Sequence, residues 1–177
     1  VEEQMVTDGN FPTVVSPNPE EPAAMSMAIE KAKAMNADVV LATDPDADRV
    51  GVAVKDDNGE FLLLNGNQTA SILTYYILTR WNELGKLTGK EFIVKTIVTT
   101  DLLLKIAKKF NVKTYDVLTG FKYIADKILN KPQEQFICGG EESYGFLVGD
   151  FVRGQDGIIT CYMLGEATAW GAGQGKS

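Results

Sequence analysis

The chain has 177 residues, 45% of them hydrophobic, and a formal net charge of −7. That composition supports a packed core and argues against disorder, while the acidic balance disfavours nucleic acid or an anionic membrane as the main partner. The sequence contains no histidine, which removes His-based triads, His-ligated zinc and imidazole acid–base chemistry and leaves carboxylates, Lys, Arg, hydroxyls and metal.

Residues 1–22 carry Pro12, Pro17, Pro19 and Pro22 with no regular apolar period. They read as extended chain, and as a start lying part-way through a domain. No apolar run reaches the length of a membrane span, and VEEQMVTDGNF lacks a signal-peptide pattern. Cys138 and Cys161 are far apart and without metal-ligand spacing, so they read as reduced, structural thiols of a cytoplasmic protein.

Pro22 suits the first turn of a helix that Ala24 to Met35 continue, with apolar Met25, Ala28, Ile29, Ala32 and Met35. ADVVLAT reads as a buried strand ending at an acidic turn from Asp44. Arg49 to Val54 is a second strand, DDNG at 56–59 a hairpin-type turn, and GEFLLLNG a third strand. Asn67 is placed to cap a helix from Gln68 to Leu84, with Gly85 as its stop. EFIVKTIVTT is a strand, and Asp101 caps the helix LLLKIAKKF. VKTYDVL is a strand, FKYIADKIL a helix, and QFICGG a strand ending at a second acidic turn from Glu141. A last helix runs from about Asp156 to Trp170. The alternation predicts an α/β fold of two mixed α/β units. A small, truncated unit covers residues 1–65, and one with a parallel or mixed sheet covers 66–177.

The strongest chemical signal is DPDADR. Asp44, Asp46 and Asp48 repel one another unless a cation sits among them, and two-residue spacing in a turning backbone lets alternate side chains converge. Such an all-oxygen cluster suits Mg²⁺, which takes about six oxygens and leaves room for water or a phosphate oxygen. Arg49 adds a planar fork suited to phosphate. A helix–loop–helix calcium site fails, because its glycine and glutamate places hold Arg49 and Lys55. A haloacid-dehalogenase-type phosphatase would use Asp44 as nucleophile in Asp-x-Asp, but the following residues depart from that pattern. A solvated acidic turn is the bland alternative.

DPDADR resembles the metal-binding loop of the α-D-phosphohexomutases, the phosphoglucomutase/phosphomannomutase family. FPTVVSPNPEEP, GEFLLLNGNQTASIL, FIVKTIVTTDLL, TGFKYI and GGEESYGF are similar to further blocks of that family, in its order and over almost the whole chain. The resemblance implies four α/β domains around a cleft, of which this chain is the later part of the second and the third. It implies a phosphoserine in the first domain that phosphorylates a sugar phosphate, which reorients as a bisphosphate and returns its other phosphate. Asp44, Asp46 and Asp48 would then hold Mg²⁺, and Arg49 would contact the phosphate. Glu141 and Ser143 would bind sugar hydroxyls, Thr119 and Gly120 would shape the cleft floor, and Lys95 would serve near the reacting hydroxyl.

Glu141 and Glu142 read alternatively as an ordinary acidic turn, Lys95 as edge charge or half of a salt bridge, and Lys122 as a solvated helix residue. The pattern departs from the family at VRGQDG, where Gln155 stands in place of a common Lys. A Thr-Ala-Ser-His-Asn-Pro-like segment is missing, as is the fourth-domain phosphate loop, and Ser71 lies inside a predicted helix. The implied partners are a sugar phosphate and domains 1 and 4 of the same polypeptide. Within the family, GEES and SPNPEEP look more like phosphoglucomutase or phosphopentomutase than phosphoglucosamine mutase, with phosphomannomutase also open. The competing class is a binding module that holds metal or sugar phosphate without turnover. The terminal Gly-Lys-Ser is not a P-loop, since Trp170 occupies the place of its first glycine.

Overall fold

The computed structural model describes residues 1–175, so Lys176 and Ser177 of the Gly-Lys-Ser end lie outside the described residues. A short 3-10 turn at Glu2–Gln4 precedes α1 (Pro22–Met35), β1 (Val39–Thr43), β2 (Val50–Lys55) and β3 (Phe61–Leu64). There follow α2 (Gly66–Glu83), β4 (Glu91–Thr96), α3 (Leu102–Lys109), β5 (Lys113–Val117), α4 (Phe121–Leu129), β6 (Gln135–Gly140), β7 (Phe146–Val148) and α5 (Gly157–Gly173).

The first sheet is antiparallel, ordered β1-β2-β3. Side chains alternate across a strand, and β2 uses both faces. Ala53 packs with Val40 against Met25 and Ala32 of α1, whereas Val50 and Val52 enter a core with Leu73 and Ile77 of α2 and Leu164 and Ala167 of α5. The second sheet is mixed, ordered β5-β4-β6-β7, with β4 parallel to both neighbours and β7 antiparallel to β6. Phe92 and Val94 face Ile124 and Ile128 of α4. Ile93 shares the larger core with Leu103 and Ala107 of α3. That core therefore crosses residue 65: β2 of the first sheet is packed on helices of the second unit. Among the described residues no helix is long and apolar enough to cross a membrane.

Several elements differ from the sequence expectation for local reasons. Only Val40 of β1 is buried, because β1 is an edge strand of a hairpin sheet. The cap of α2 is Asn65, not Asn67. Asn65 accepts from Gln68 N at 3.0 Å while Gln68 Oε1 accepts from Asn65 N at 2.9 Å, a reciprocal capping box. Asn67 instead accepts from Thr100 N at 2.9 Å. EFIVKTIVTT is strand only as far as Thr96, and its last residues turn into α3. Asp101 makes no capping bond, being drawn to Lys95 at 3.1 Å. The short β7 is an addition to the expected strands. Cys138 and Cys161 are free thiols, and burial pushes Cys138 up to about 12.

Candidate functional site

The turn 44–49 connects β1 to β2, and its shape is enforced from outside. Ala47 has a left-handed φ of 58°, a conformation that costs an L-residue on the order of 1 kcal/mol. Its carbonyl accepts from Gly157 N at 2.9 Å, so the start of α5 holds the turn. A Cβ on Gly157 would lie 2.5 Å from that carbonyl, which is why glycine stands there.

Asp44 is buried at 3% exposure. Its Oδ1 accepts from Asp48 N and Arg49 N, both at 3.1 Å, and its Oδ2 accepts from Arg49 Nε at 2.7 Å. Burial pushes its carboxyl up, but the bonds from Arg49 and Asp48 and the Arg49 charge outweigh burial and hold it below its usual value. Asp48 goes the other way. Burial, then hydrogen bonding and repulsion from Asp44, then the Asp46 charge, raise it to about 6. Oxygens of Asp44, Asp46 and Asp48 lie within 4.8 Å of one another. Three converging hard oxygens under mutual repulsion fit a divalent cation of the Mg²⁺ type. Arg49 also donates from Nη1 to Glu20 Oε1 at 3.1 Å, so its guanidinium bridges two carboxylates. A cavity of about 450 Å³ opens beside the turn, lined by Phe11, Pro17, Thr43, Asp44 and Pro45 among others.

The loop 141–145 connects β6 to β7. Glu141 is buried, accepting from Gly120 N at 2.8 Å on Oε1 and from Gln155 Nε2 at 2.8 Å on Oε2. Gln155, the departure from the family pattern, is thus fastened to the candidate sugar-binding carboxylate. Glu142 Oε2 accepts from the hydroxyls of Thr96 at 3.2 Å and Thr99 at 3.1 Å. Ser143 and Thr119 are exposed. Tyr144 has φ 70°. Gly66, at the start of α2, approaches so closely that a Cβ would sit 1.9 Å from Glu142 O.

The two turns are joined. Arg49 and Gly145 form an antiparallel bridge, and Val50 N donates to Tyr144 O at 3.3 Å. The structure therefore brings Asp44, Asp46, Asp48 and Arg49 beside the loop that carries Glu141 and Ser143, with Gly120 fastened to that loop.

Lys95 is on the interior strand β4, at 1% exposure. Its ammonium sits 3.1 Å from both Asp101 and Asp116 and donates to the carbonyls of Thr99 and Thr96 at 3.0 and 3.3 Å. The edge-charge alternative is excluded by that central position. Lys122 is exposed, its ammonium 5.0 Å from the Tyr123 ring centre. The contacts of Glu20 with Arg49, of Glu142 with Thr96 and of Gln155 with Glu141 escape the sequence reading, since no periodicity or spacing marks a partner 29, 46 or 14 residues away.

Residues 65–177 match the description phosphoglucomutase/phosphomannomutase, alpha/beta/alpha domain III, and residues 1–59 match alpha/beta/alpha domain II of the same family. The chain belongs to the phosphoglucomutase/phosphomannomutase family. Curated phosphoglucomutases of Staphylococcus aureus (strain N315) and Staphylococcus epidermidis (strain ATCC 12228) are each 40% identical over 159 residues, 89% of this chain. The chain spans 28% of the length of these relatives. A phosphoglucomutase/phosphomannomutase family protein of Burkholderia thailandensis superposes with a TM-score of 0.73 at 25% identity, covering 92% of this chain and 32% of that one. The Aspergillus fumigatus N-acetylphosphoglucosamine mutase, solved with GlcNAc-6P and magnesium, shares the fold at a TM-score of 0.57 and 16% identity, over 82% of this chain and 35% of that one.

Proposed function

We propose that this family member is the central part of a phosphohexomutase, with phosphoglucomutase favoured, that interconverts hexose 1-phosphate and hexose 6-phosphate. Residues 1–65 supply the later part of the second domain and 66–177 the third. The observation that carries the reading is the junction of the 44–49 turn with the 141–145 loop through the Arg49–Gly145 bridge. Phosphoryl transfer and sugar recognition need such neighbours.

In this reading Asp44, Asp46 and Asp48 hold Mg²⁺, which when bound neutralises charge on a transferring phosphoryl group. Asp44 is oriented for that task by Arg49 and by the turn's own amides, and Arg49 offers its remaining donors to phosphate. Glu141 and Ser143 accept from and donate to sugar hydroxyls above the floor formed by Thr119 and Gly120, with Gln155 holding the Glu141 carboxylate. Lys95 is the candidate proton-transfer or phosphate group. Its buried site, ringed by four oxygens, makes it also an organiser of the β4–α3 turn. The nucleophilic phosphoserine belongs to a domain outside this chain, so the isolated chain does not turn over substrate. A cytoplasmic location goes with this chemistry.

The test is turnover of glucose 1-phosphate by the full-length protein with Mg²⁺ and catalytic glucose 1,6-bisphosphate, compared with mannose and ribose phosphates. Robust turnover, lost in a variant with Asp44, Asp46 and Asp48 changed to Asn, is expected. Binding of sugar phosphate without turnover would favour the non-catalytic module.

A further inference from the structure

Of the three converging aspartates, Asp44 is held on Oδ1 by the turn's own amides and on Oδ2 by a guanidinium. Asp44 Oδ2 is held by Arg49 Nε at 2.7 Å, and the same guanidinium is held on its other side by Glu20 Oε1 at 3.1 Å. A guanidinium is a rigid planar fork, so fixing two of its edges fixes its plane. Without Glu20 it keeps contacts on its Nε edge alone, to Asp44 at 2.7 Å and Asp48 at 3.7 Å, and would pivot about that edge toward solvent, since its side chain is 33% exposed.

Glu20 suits the anchoring part because its own backbone is well held. It lies in the proline-rich segment before α1, where Pro19 and Pro22 restrict the chain. Asn18 Oδ1 accepts from Glu20 N at 3.2 Å, and Asn18 O accepts from Glu21 N at 3.1 Å. Pro19 is buried and packs onto β2, where a Cβ on Gly51 would lie 2.2 Å from Pro19 O. The carboxylate of Glu20 is therefore delivered to Arg49 from a segment docked on the same strand that Arg49 leads into. Glu20 is not one of the acids whose oxygens converge, so it acts without ligating.

We propose that Glu20 is a positioning residue of the metal turn: it holds Arg49 against Asp44, and thereby keeps the Asp44 carboxylate aimed at a divalent cation. The proposal deepens the metal reading given above and rests on it.

The test is calorimetric titration of the 177-residue chain with Mn²⁺. Outer partners of metal ligands typically carry 10–100-fold in affinity, and Glu20→Ala is expected to weaken Mn²⁺ binding by about 10-fold. Glu20→Gln keeps an oxygen acceptor for Nη1 and is expected to stay within about 2-fold of the parent. In an Arg49→Lys background, which lacks the fork, Glu20→Ala should add less than about 2-fold, because coupled residues are non-additive. An equal loss from Glu20→Ala in both backgrounds, or a Glu20→Gln as impaired as Glu20→Ala, would point to plain charge and overturn the proposal. A metal-free measurement separates the two readings. The side-chain Nε–H of Arg49, resolved by ¹⁵N NMR from those of Arg80 and Arg153, should exchange slowly in the parent and in Glu20→Gln, and fast in Glu20→Ala. Failure of the parent to bind Mn²⁺ would overturn the metal reading, and this proposal with it. Unchanged Nε–H protection in Glu20→Ala would overturn the proposal while leaving that reading intact.

Discussion

Glu91 shows how strongly single carboxylates are committed in this chain. It opens β4 at 3% exposure and accepts from Thr88 N, Thr88 Oγ1 and Gly89 N at 2.6–3.0 Å. Burial pushes its carboxyl up, but those bonds outweigh burial and hold it below its usual value. A carboxyl lowered by folding stabilises the native state above its unfolded value, and that contribution is lost as pH falls through the folded value. Glu91→Gln should therefore lower stability at neutral pH by about 1–3 kcal/mol, the range for charge-assisted bonds. The gap to the parent should close below about pH 4, as followed by denaturant melts across pH. Glu141 is a second case. Glu141→Ala strands Gly120 N and the Gln155 amide, and should cost about 1–3 kcal/mol of stability. On the proposed mutase reading, Glu141→Ala in the full-length protein should also raise KM for the sugar phosphate. Denaturant melts and steady-state kinetics check the two effects separately.

At the scale of elements, the start of α5 shapes the acidic 44–49 turn. Gly157→Ala places a methyl against Ala47 O at 2.5 Å, so the turn must shift or the helix must back away. The expected result is weaker divalent-cation binding with only a modest loss of helix signal, measured by calorimetry and circular dichroism. Much of this scale was legible in the sequence. FKYIADKIL and QFICGG read directly as α4 and β6, because apolar period and flanking turn residues agree there. Asp44, Asp46 and Asp48 were legible as a cluster because their spacing is local. The cap at Asn65 was legible too, because Gln68 three residues on completes a capping box that Asn67, followed by Ala70, lacks; the contact of Asn67 with Thr100 N was not. Asp101 stands at the N-cap of α3 as the sequence suggests, but its side chain makes no capping bond, because Lys95, six residues earlier, holds its carboxylate. β7 is three residues long and shows too few periods to be read.

For the whole molecule, the decisive feature is the core that crosses residue 65. Val50 and Val52 of the first sheet share a cluster with Leu73 and Ile77 of α2 and Leu164 of α5. The division into two units rests on the order of strand and helix signals along the chain, which carries no record of packing between units. A shared core of this kind predicts a single cooperative unfolding transition for the 177-residue chain. Leu73→Ala, at 0% exposure, should lower its midpoint by removing about 2–5 kcal/mol of stability. Calorimetric melting with two resolved transitions, only one of them moved by the substitution, would show instead that the sheets fold independently.

The central claim is that the 44–49 turn is a divalent-cation site, and titration of the chain with Mg²⁺ by calorimetry tests it most directly. The account predicts binding near one ion per chain that disappears when Asp44, Asp46 and Asp48 are together changed to Asn. Equal binding by the parent and the triple variant would contradict it, and would leave DPDADR as a solvated acidic turn.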